Sequence, residues 1–220
     1  MKYSKKEHGG CVGVFRAFLI ENSQFAGMYD MPVLRAEHGV PRKLIRFSEA
    51  CREKKDYNQW VMFYENDFKF ERIWNQPRKY LRILSKFEGV ITPDFSLYYD
   101  MPLAMQIWNI YRSKAIGSWL QHNGVRVIPN IRVGSRYTLE IACDGVPKHN
   151  TIAIGTLGCL QDPTYRKEFE QIIERISELL DPETIVLYGA LPSNVIRLKA
   201  RGIQIVHFPA DYSFYRKGEE

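Results

Sequence analysis

The sequence predicts an α/β fold of about six β/α units, arranged as an incomplete TIM-barrel-like or open parallel sheet behind an irregular N-terminal segment. Three observations carry this. Short apolar, β-branched runs recur from Trp60 to Phe208. Amphipathic stretches of helical length separate them, and Gly, Pro, Asn and Asp punctuate the joins. The runs are apolar throughout rather than alternating, as expected of strands covered by helices. No G-x-G-x-x-G follows a strand, which favours the barrel-like form over a dinucleotide-binding sheet.

Taken in order, residues 1–57 show turn chemistry at Gly9, Gly10, Gly27, Pro32, Gly39 and Pro41. They read as an irregular segment packed on the main domain, residues 58–220, with a short helix around Ser48–Lys54 capped by Ser48. Trp60–Tyr64 reads as the first strand. Asp67–Lys86 reads as a helix broken near Pro77, and Gly89–Thr92 as the second strand. Pro102–Asn123 is a long amphipathic helix closed by Asn123 and Gly124. Val125–Ile128 is a strand, Ser135–Asp144 a short helix and Thr151–Ile154 a strand. Pro163–Leu180 has the clearest helical stripe, Phe169, Ile172, Ile173, Ile176, Leu179 and Leu180, with Asp162 as N-cap. Thr184–Tyr188, Pro192–Ala200 and Ile203–Phe208 complete the series as strand, helix and strand.

The chain has 220 residues and a formal net charge of +6. That length buries a core without disulfide or metal support. The charge suits either an ordinary solvated surface or attraction to nucleic acid and nucleotides. Basic residues gather early, at Lys2, Lys5, Lys6, Arg16, Arg35, Arg42, Lys43, Arg46, Arg52, Lys54 and Lys55. Cys11, Cys51, Cys143 and Cys159 form no C-x-x-C pair, and no histidine pair completes a zinc pattern. With no secretory signal and no apolar run of membrane-spanning length, the expected location is the cytoplasm, with reduced thiols and no membrane partner.

In parallel α/β folds ligands bind at the carboxyl ends of the strands, where loops converge and helix N-termini point. The residues just after each expected strand are therefore the candidates. Asp94, in Thr92-Pro93-Asp94-Phe95-Ser96, is the candidate catalytic residue; a carboxylate fixed there suits a general base or a metal ligand. The alternative is an Asx-turn that orders the loop. Ser96, Asn130, Arg132, Gly155, Thr156 and Tyr188 are the candidate substrate-binding residues on the same rim. The alternative for each is a turn or cap residue.

Gly155-Thr156-Leu157-Gly158 is a small glycine loop, open to phosphate or a plain turn. Glu65, Asp67 and Asp94 could together hold a divalent cation, but their spacing is no known signature and no metal ligand is assigned. On the long helix, Met105, Trp108, Arg112 and Trp119 share a face. It reads as a core stripe, or as a stacking surface for a base in which Arg112 binds substrate.

The stretches Gly89–Asn130 and Tyr57–Trp74 resemble an uncharacterised domain-of-unknown-function family encoded by Firmicutes, their phages and integrative mobile elements. The resemblance runs from about Phe18 to His207. Pro93-Asp94-Phe95-Ser96 and the Gln106–Arg112 segment are its most specific marks. It implies a mobile-element protein acting in a host cytoplasm, and it assigns no catalytic residues.

Two functional classes remain open. One is an enzyme acting on nucleic acid or nucleotides at the strand-end rim. The other is a non-catalytic binding protein that sequesters a nucleotide or blocks a host defence protein. A structural or assembly role ranks behind both, because it gives no reason for polar residues at every strand end.

Overall fold

The computed structural model describes residues 14–52, 56–160 and 163–210. A 3-10 turn, Val14–Ile20, leads into an antiparallel ribbon of β1 (Phe25–Ala26) and β2 (Met31–Pro32). The main series follows: β3 (Leu44–Arg46), α1 (Phe47–Ala50), β4 (Trp60–Met62), α2 (Asp67–Phe70), α3 (Arg72–Asn75), α4 (Pro77–Leu84), β5 (Gly89–Ile91) and α5 (Leu103–His122). After it come β6 (Val127–Ile128), a 3-10 turn at Arg136–Thr138, α6 (Leu139–Cys143), β7 (Thr151–Gly155), α7 (Pro163–Leu180), β8 (Thr184–Tyr188), α8 (Val195–Ala200) and β9 (Gln204–Phe208).

Strands β3 to β9 are all parallel and lie side by side in chain order. They form a four-stranded and a three-stranded sheet, joined where Asn130 bridges Ala153. There Ile131 N–H donates to the Ala153 carbonyl at 2.8 Å, and Ala153 N–H to the Pro129 carbonyl at 2.9 Å. Sequential order with no reversal is the winding of a (β/α) barrel; a doubly wound sheet reverses midway.

The sheet is strongly curled. Strands β4 and β8 stand four positions apart, which in a flat sheet is ~19 Å. Yet Tyr64, just past β4, and Tyr188, at the end of β8, stack with ring centroids 4.9 Å apart. The concave face holds its own core of Trp60, Met62, Tyr64, Ile91, Ile128, Ala153, Val186 and Tyr188, against which Leu44 of β3 and Val206 and Phe208 of β9 pack. The barrel stays open: among the described residues β3 and β9 are not paired.

The six strands expected from the apolar runs are all present. Leu44–Arg46 is a seventh, within the stretch that reads as irregular from sequence. It is three residues long and runs straight into the helix that starts at Phe47, so only its pairing with β4 reveals it. Asp67–Lys86 is divided into three helices rather than two. Pro77 opens the last of these at its first position, and Gln76 before it leaves the helical region (φ −137°, ψ 55°), which a following proline disfavours. Gly124 and Gly202 follow helices at φ +80° and +86°, the left-handed geometry a glycine adopts without strain. The proposed N-cap Asp162, together with Cys11, His8, Lys2, Lys5, Lys6, Lys54, Lys55 and Asp211, lies outside the described residues.

The long helix α5 departs most from expectation. A one-sided amphipath would bury one stripe, but α5 also buries Gln106, Asn109, Arg112, Ser113, Lys114, Ser118 and Gln121. It is enclosed on several sides, by the sheet, by the Val14–Ile20 turn and β2, and by α6. Each buried polar group has a partner there. Ser113 Oγ donates to the Pro93 carbonyl at 2.6 Å, Gln121 exchanges bonds with the Arg35 backbone, and Ser118 Oγ meets Ser23 Oγ at 2.8 Å. Gly117 lets the helix close on the sheet, because a Cβ there would lie 2.6 Å from Thr92 Cγ2.

Candidate functional site

The strand carboxyl ends form one rim, and the aromatic pair closes the concavity beneath it. Trp60, Met62 and Tyr64 point inward at alternate positions of β4 and its extension. Glycine at 155 makes room for the last of them, since a Cβ there would lie 2.6 Å from Tyr64 Cε1. The Tyr64 and Tyr188 rings are nearly parallel in their stack, at 8°, and both are buried.

A chain of hydrogen bonds stands on this floor. The Tyr64 hydroxyl donates to Asn130 Oδ1 at 2.9 Å, and Asn130 Nδ2 donates to Asp94 Oδ1 at 2.7 Å. Asn130 is held in turn by its own N–H, which donates to Thr92 Oγ1 at 2.9 Å. The other carboxylate oxygen, Asp94 Oδ2, faces Arg132 Nη1 at 3.8 Å. That nitrogen is buried and has no hydrogen-bond partner among the described residues. The pair is only narrowly open, the Asp94 side chain being 13% exposed and that of Arg132 19%.

The electrostatics follow from this enclosure. Burial raises the Asp94 carboxyl above the usual carboxylate range; Arg132 and Asn130 pull against that, and the nearby Asp67 charge adds to it. Burial likewise raises the Tyr64 phenol, with the Asp94 charge in support. Burial opposes the charge on Arg132, but Asp94, Cys159, Tyr165 and Tyr64 outweigh it and hold the guanidinium protonated. Cys159 lies in the same field. Burial raises its thiol against the pull of Arg132, so it is no activated nucleophile.

The other candidates sit around this centre. Ser96 is fastened to Asp67, whose carboxylate accepts from Ser96 N–H at 3.1 Å and from Ser96 Oγ at 2.7 Å. Thr156 Oγ1 donates to the carbonyls of Tyr188 and Ala190, tying the loops after β7 and β8 together. Gly155 serves the packing of Tyr64, and Tyr188 presents its ring to Tyr64.

Arg112 stands back from the rim. Its Nε donates to Asn109 Oδ1 at 3.0 Å and its Nη1 to Glu71 Oε1 at 2.9 Å, while its guanidinium lies 3.7 Å from the centre of the Phe95 ring. The proposed stacking face divides: Met105 and Trp108 are partly exposed, and Trp108 stacks on Tyr111 and meets Trp74 edge-on.

Glu65 and Asp67 are each engaged elsewhere. Glu65 Oε1 accepts from Ser48 N–H and Asp67 holds Ser96. Among the described residues no group of three acidic, histidine or cysteine side chains is placed to hold a metal ion. Nor is any described helix long and apolar enough to cross a membrane.

Sequence reasoning missed Tyr64 as part of the site. The signal was present: it continues the inward alternation of Trp60 and Met62 and is the last residue of its run. It also missed Lys114, which sits in the middle of a helix where no strand-end rule applies.

The arrangement defines an α/β protein whose strand ends hold a buried acid–amide–arginine cluster over an aromatic floor. The chain belongs to the family described as domain of unknown function DUF4417, which it matches over residues 23–209. It is also similar to the Gene 1 protein of Mycobacterium phage L5, at 30% identity over 167 residues, or 74% of this chain and 72% of that one. The Gene 1 protein of Mycobacterium phage D29 is 30% identical over 165 residues, 74% of this chain and 61% of the phage protein. No solved structure matches the chain. Asp94, Asn130, Arg132 and Tyr64 all fall inside the family's span.

Proposed function

We propose that this relative of phage proteins acts on a nucleotide or nucleic acid at the strand-end rim, with Asp94 as the acid/base group. The observation that carries the reading is the state of Asp94. A carboxyl raised by burial, oriented through one oxygen by Asn130 and facing a guanidinium with the other, is suited to taking up and releasing a proton. Arg132 supplies a fixed cation with an unused donor, the group best matched to a phosphoryl oxygen. Tyr64 holds Asn130, so it positions the carboxylate through the amide.

Thermal unfolding against mononucleotides and short single-stranded nucleic acids tests the reading, because a ligand of the native state raises its apparent stability by mass action. The expected result is a rise for the parent chain that is lost in Asp94→Asn. A rise of equal size in Asp94→Asn would remove Asp94 from the site.

One feature favours the non-catalytic reading, in which a host protein is bound. Phe68, on α2, and Tyr98 and Tyr99, on the loop after β5, are exposed large aromatics on the two segments that Asp67 and Ser96 tie together. Exposed aromatic groups of this kind anchor protein interfaces. No ligand response in any arm, with a stoichiometric host complex that Tyr98→Ser weakens, supports that reading.

A further inference from the structure

The geometry points to a phosphate subsite beside the Asp94 cluster, in a separate cavity between the loops that follow β7 and β8. The inference rests on the nucleotide reading and places that ligand's terminal phosphate. The cavity measures about 200 Å³ and is lined by Thr156, Gly158, Leu160, Arg166, Ala190, Leu191 and Ser193. Drug-sized ligands occupy sites of roughly 300–1,000 Å³, so this one suits a phosphate and little more.

Its single lining cation is Arg166, on the first turn of α7. Arg166 Nε and Nη2 both donate to the Leu160 carbonyl, at 3.0 Å and 2.5 Å, which fixes the guanidinium plane and leaves Nη1 without an acceptor among the described residues. Among the described residues no carboxylate lies within ion-pair distance of it. Glu170, one turn along its helix, is occupied by Ser193, whose N–H and Oγ donate to it at 2.7 Å and 2.8 Å.

Another part of the wall is the turn closed by Cys159 N–H donating to the Thr156 carbonyl. The N–H groups of Leu157 and Gly158 have no acceptor among the described residues. Gly158 sits at φ +74° with open space where a Cβ would be, so backbone can approach an oxyanion there. The same turn carries Cys159, which feels the charges of both Arg132 and Asp94. The turn directly follows Gly155, which packs against Tyr64, the residue that holds Asn130, so the cavity and the acid/base cluster meet at the end of β7. A ligand phosphate held by Arg166 and the glycine turn would direct the rest of the molecule toward Asp94.

Calorimetric titration of the full chain with inorganic phosphate, adenosine 5′-monophosphate and adenosine tests this. Phosphate and the nucleotide are expected to bind in the millimolar range or tighter, and adenosine more weakly than the nucleotide. Arg166→Gln changes an exposed side chain and should raise the dissociation constant of both phosphate-bearing ligands by roughly tenfold, the loss of one charge-assisted bond. Gly158→Ala, which obstructs the backbone approach, should weaken them in the same direction. Phosphate binding that persists while the nucleotide adds nothing over it keeps the subsite and overturns the nucleotide reading. Unaltered affinity in both Arg166→Gln and Gly158→Ala, or no phosphate binding to the parent chain, overturns the subsite.

Discussion

Replacing Lys114 with methionine isolates a single buried titration. Lys114 is 4% exposed, and its Nζ donates to the carbonyls of Ile141 and Asp144 at the end of α6. Burial lowers its pKa from 10.5 to about 8, against the opposing pull of Cys143 and Asp144. At about 1.36 kcal/mol per pH unit, that interval corresponds to a folding penalty of about 3 kcal/mol.

The sign follows from proton counting. Below pH 8 the lysine is charged in both states and the penalty is complete. Between pH 8 and 10.5 the folded lysine is neutral while the unfolded one keeps its proton, so stability rises with pH. Above 10.5 the penalty is gone. Cys143 acts oppositely, since burial raises its thiol from 9.0 to about 11 and folding loses stability as pH rises between those values.

The two effects offset one another in the parent chain, so the informative quantity is the difference between parent and variant. Lys114→Met loses two hydrogen bonds, about 0.5–1.5 kcal/mol each, by an amount independent of pH. Its stability relative to the parent should be highest below pH 8 and fall by about 1.4 kcal/mol per pH unit toward 10.5. Urea unfolding of both proteins from pH 7 to 10.5 measures this. A difference that stays flat across that range would refute a lysine that loses its proton near pH 8 in the folded protein.

Two substitutions probe the floor of the site. Gly155→Ala forces a methyl against a Tyr64 ring that is already wedged on Tyr188, and should destabilise by about 1–3 kcal/mol and alter the near-ultraviolet circular dichroism of the tyrosines. An unchanged melting temperature would mean the pair is not packed as described. Tyr64→Phe keeps the ring but leaves Asn130 Oδ1 without its donor; the expected loss is about 1–2 kcal/mol, together with weaker ligand response at the Asp94 site. Stability and ligand response both equal to the parent's would show that the hydroxyl does not hold the amide.

The sequence by itself determined the layer architecture. Apolar runs such as Thr151–Ile154 and Thr184–Tyr188 have no polar alternation because helices cover one face of the sheet and the curled interior the other, and that pattern is local. The α7 stripe is local too, and Phe169, Ile173, Ile176 and Leu180 are buried as its spacing requires. Asp94, Asn130 and Arg132 were legible as rim residues because each lies in the loop that leaves the carboxyl end of a strand, β5 or β6.

Only the tertiary structure decided the rest. Leu44–Arg46 becomes a strand through its partner β4, a pairing no three-residue window contains. The meeting of Tyr64 with Tyr188 depends on the curl of the sheet, a sum of small twists across strands far apart in sequence. The burial of Arg112 and Lys114 follows from elements that enclose α5 on sides its own periodicity leaves polar. Periodicity records which face of an element meets the first layer of the core, whereas a second layer, and the carboxylate–amide–guanidinium contacts across strand ends, exist only once distant segments are packed together.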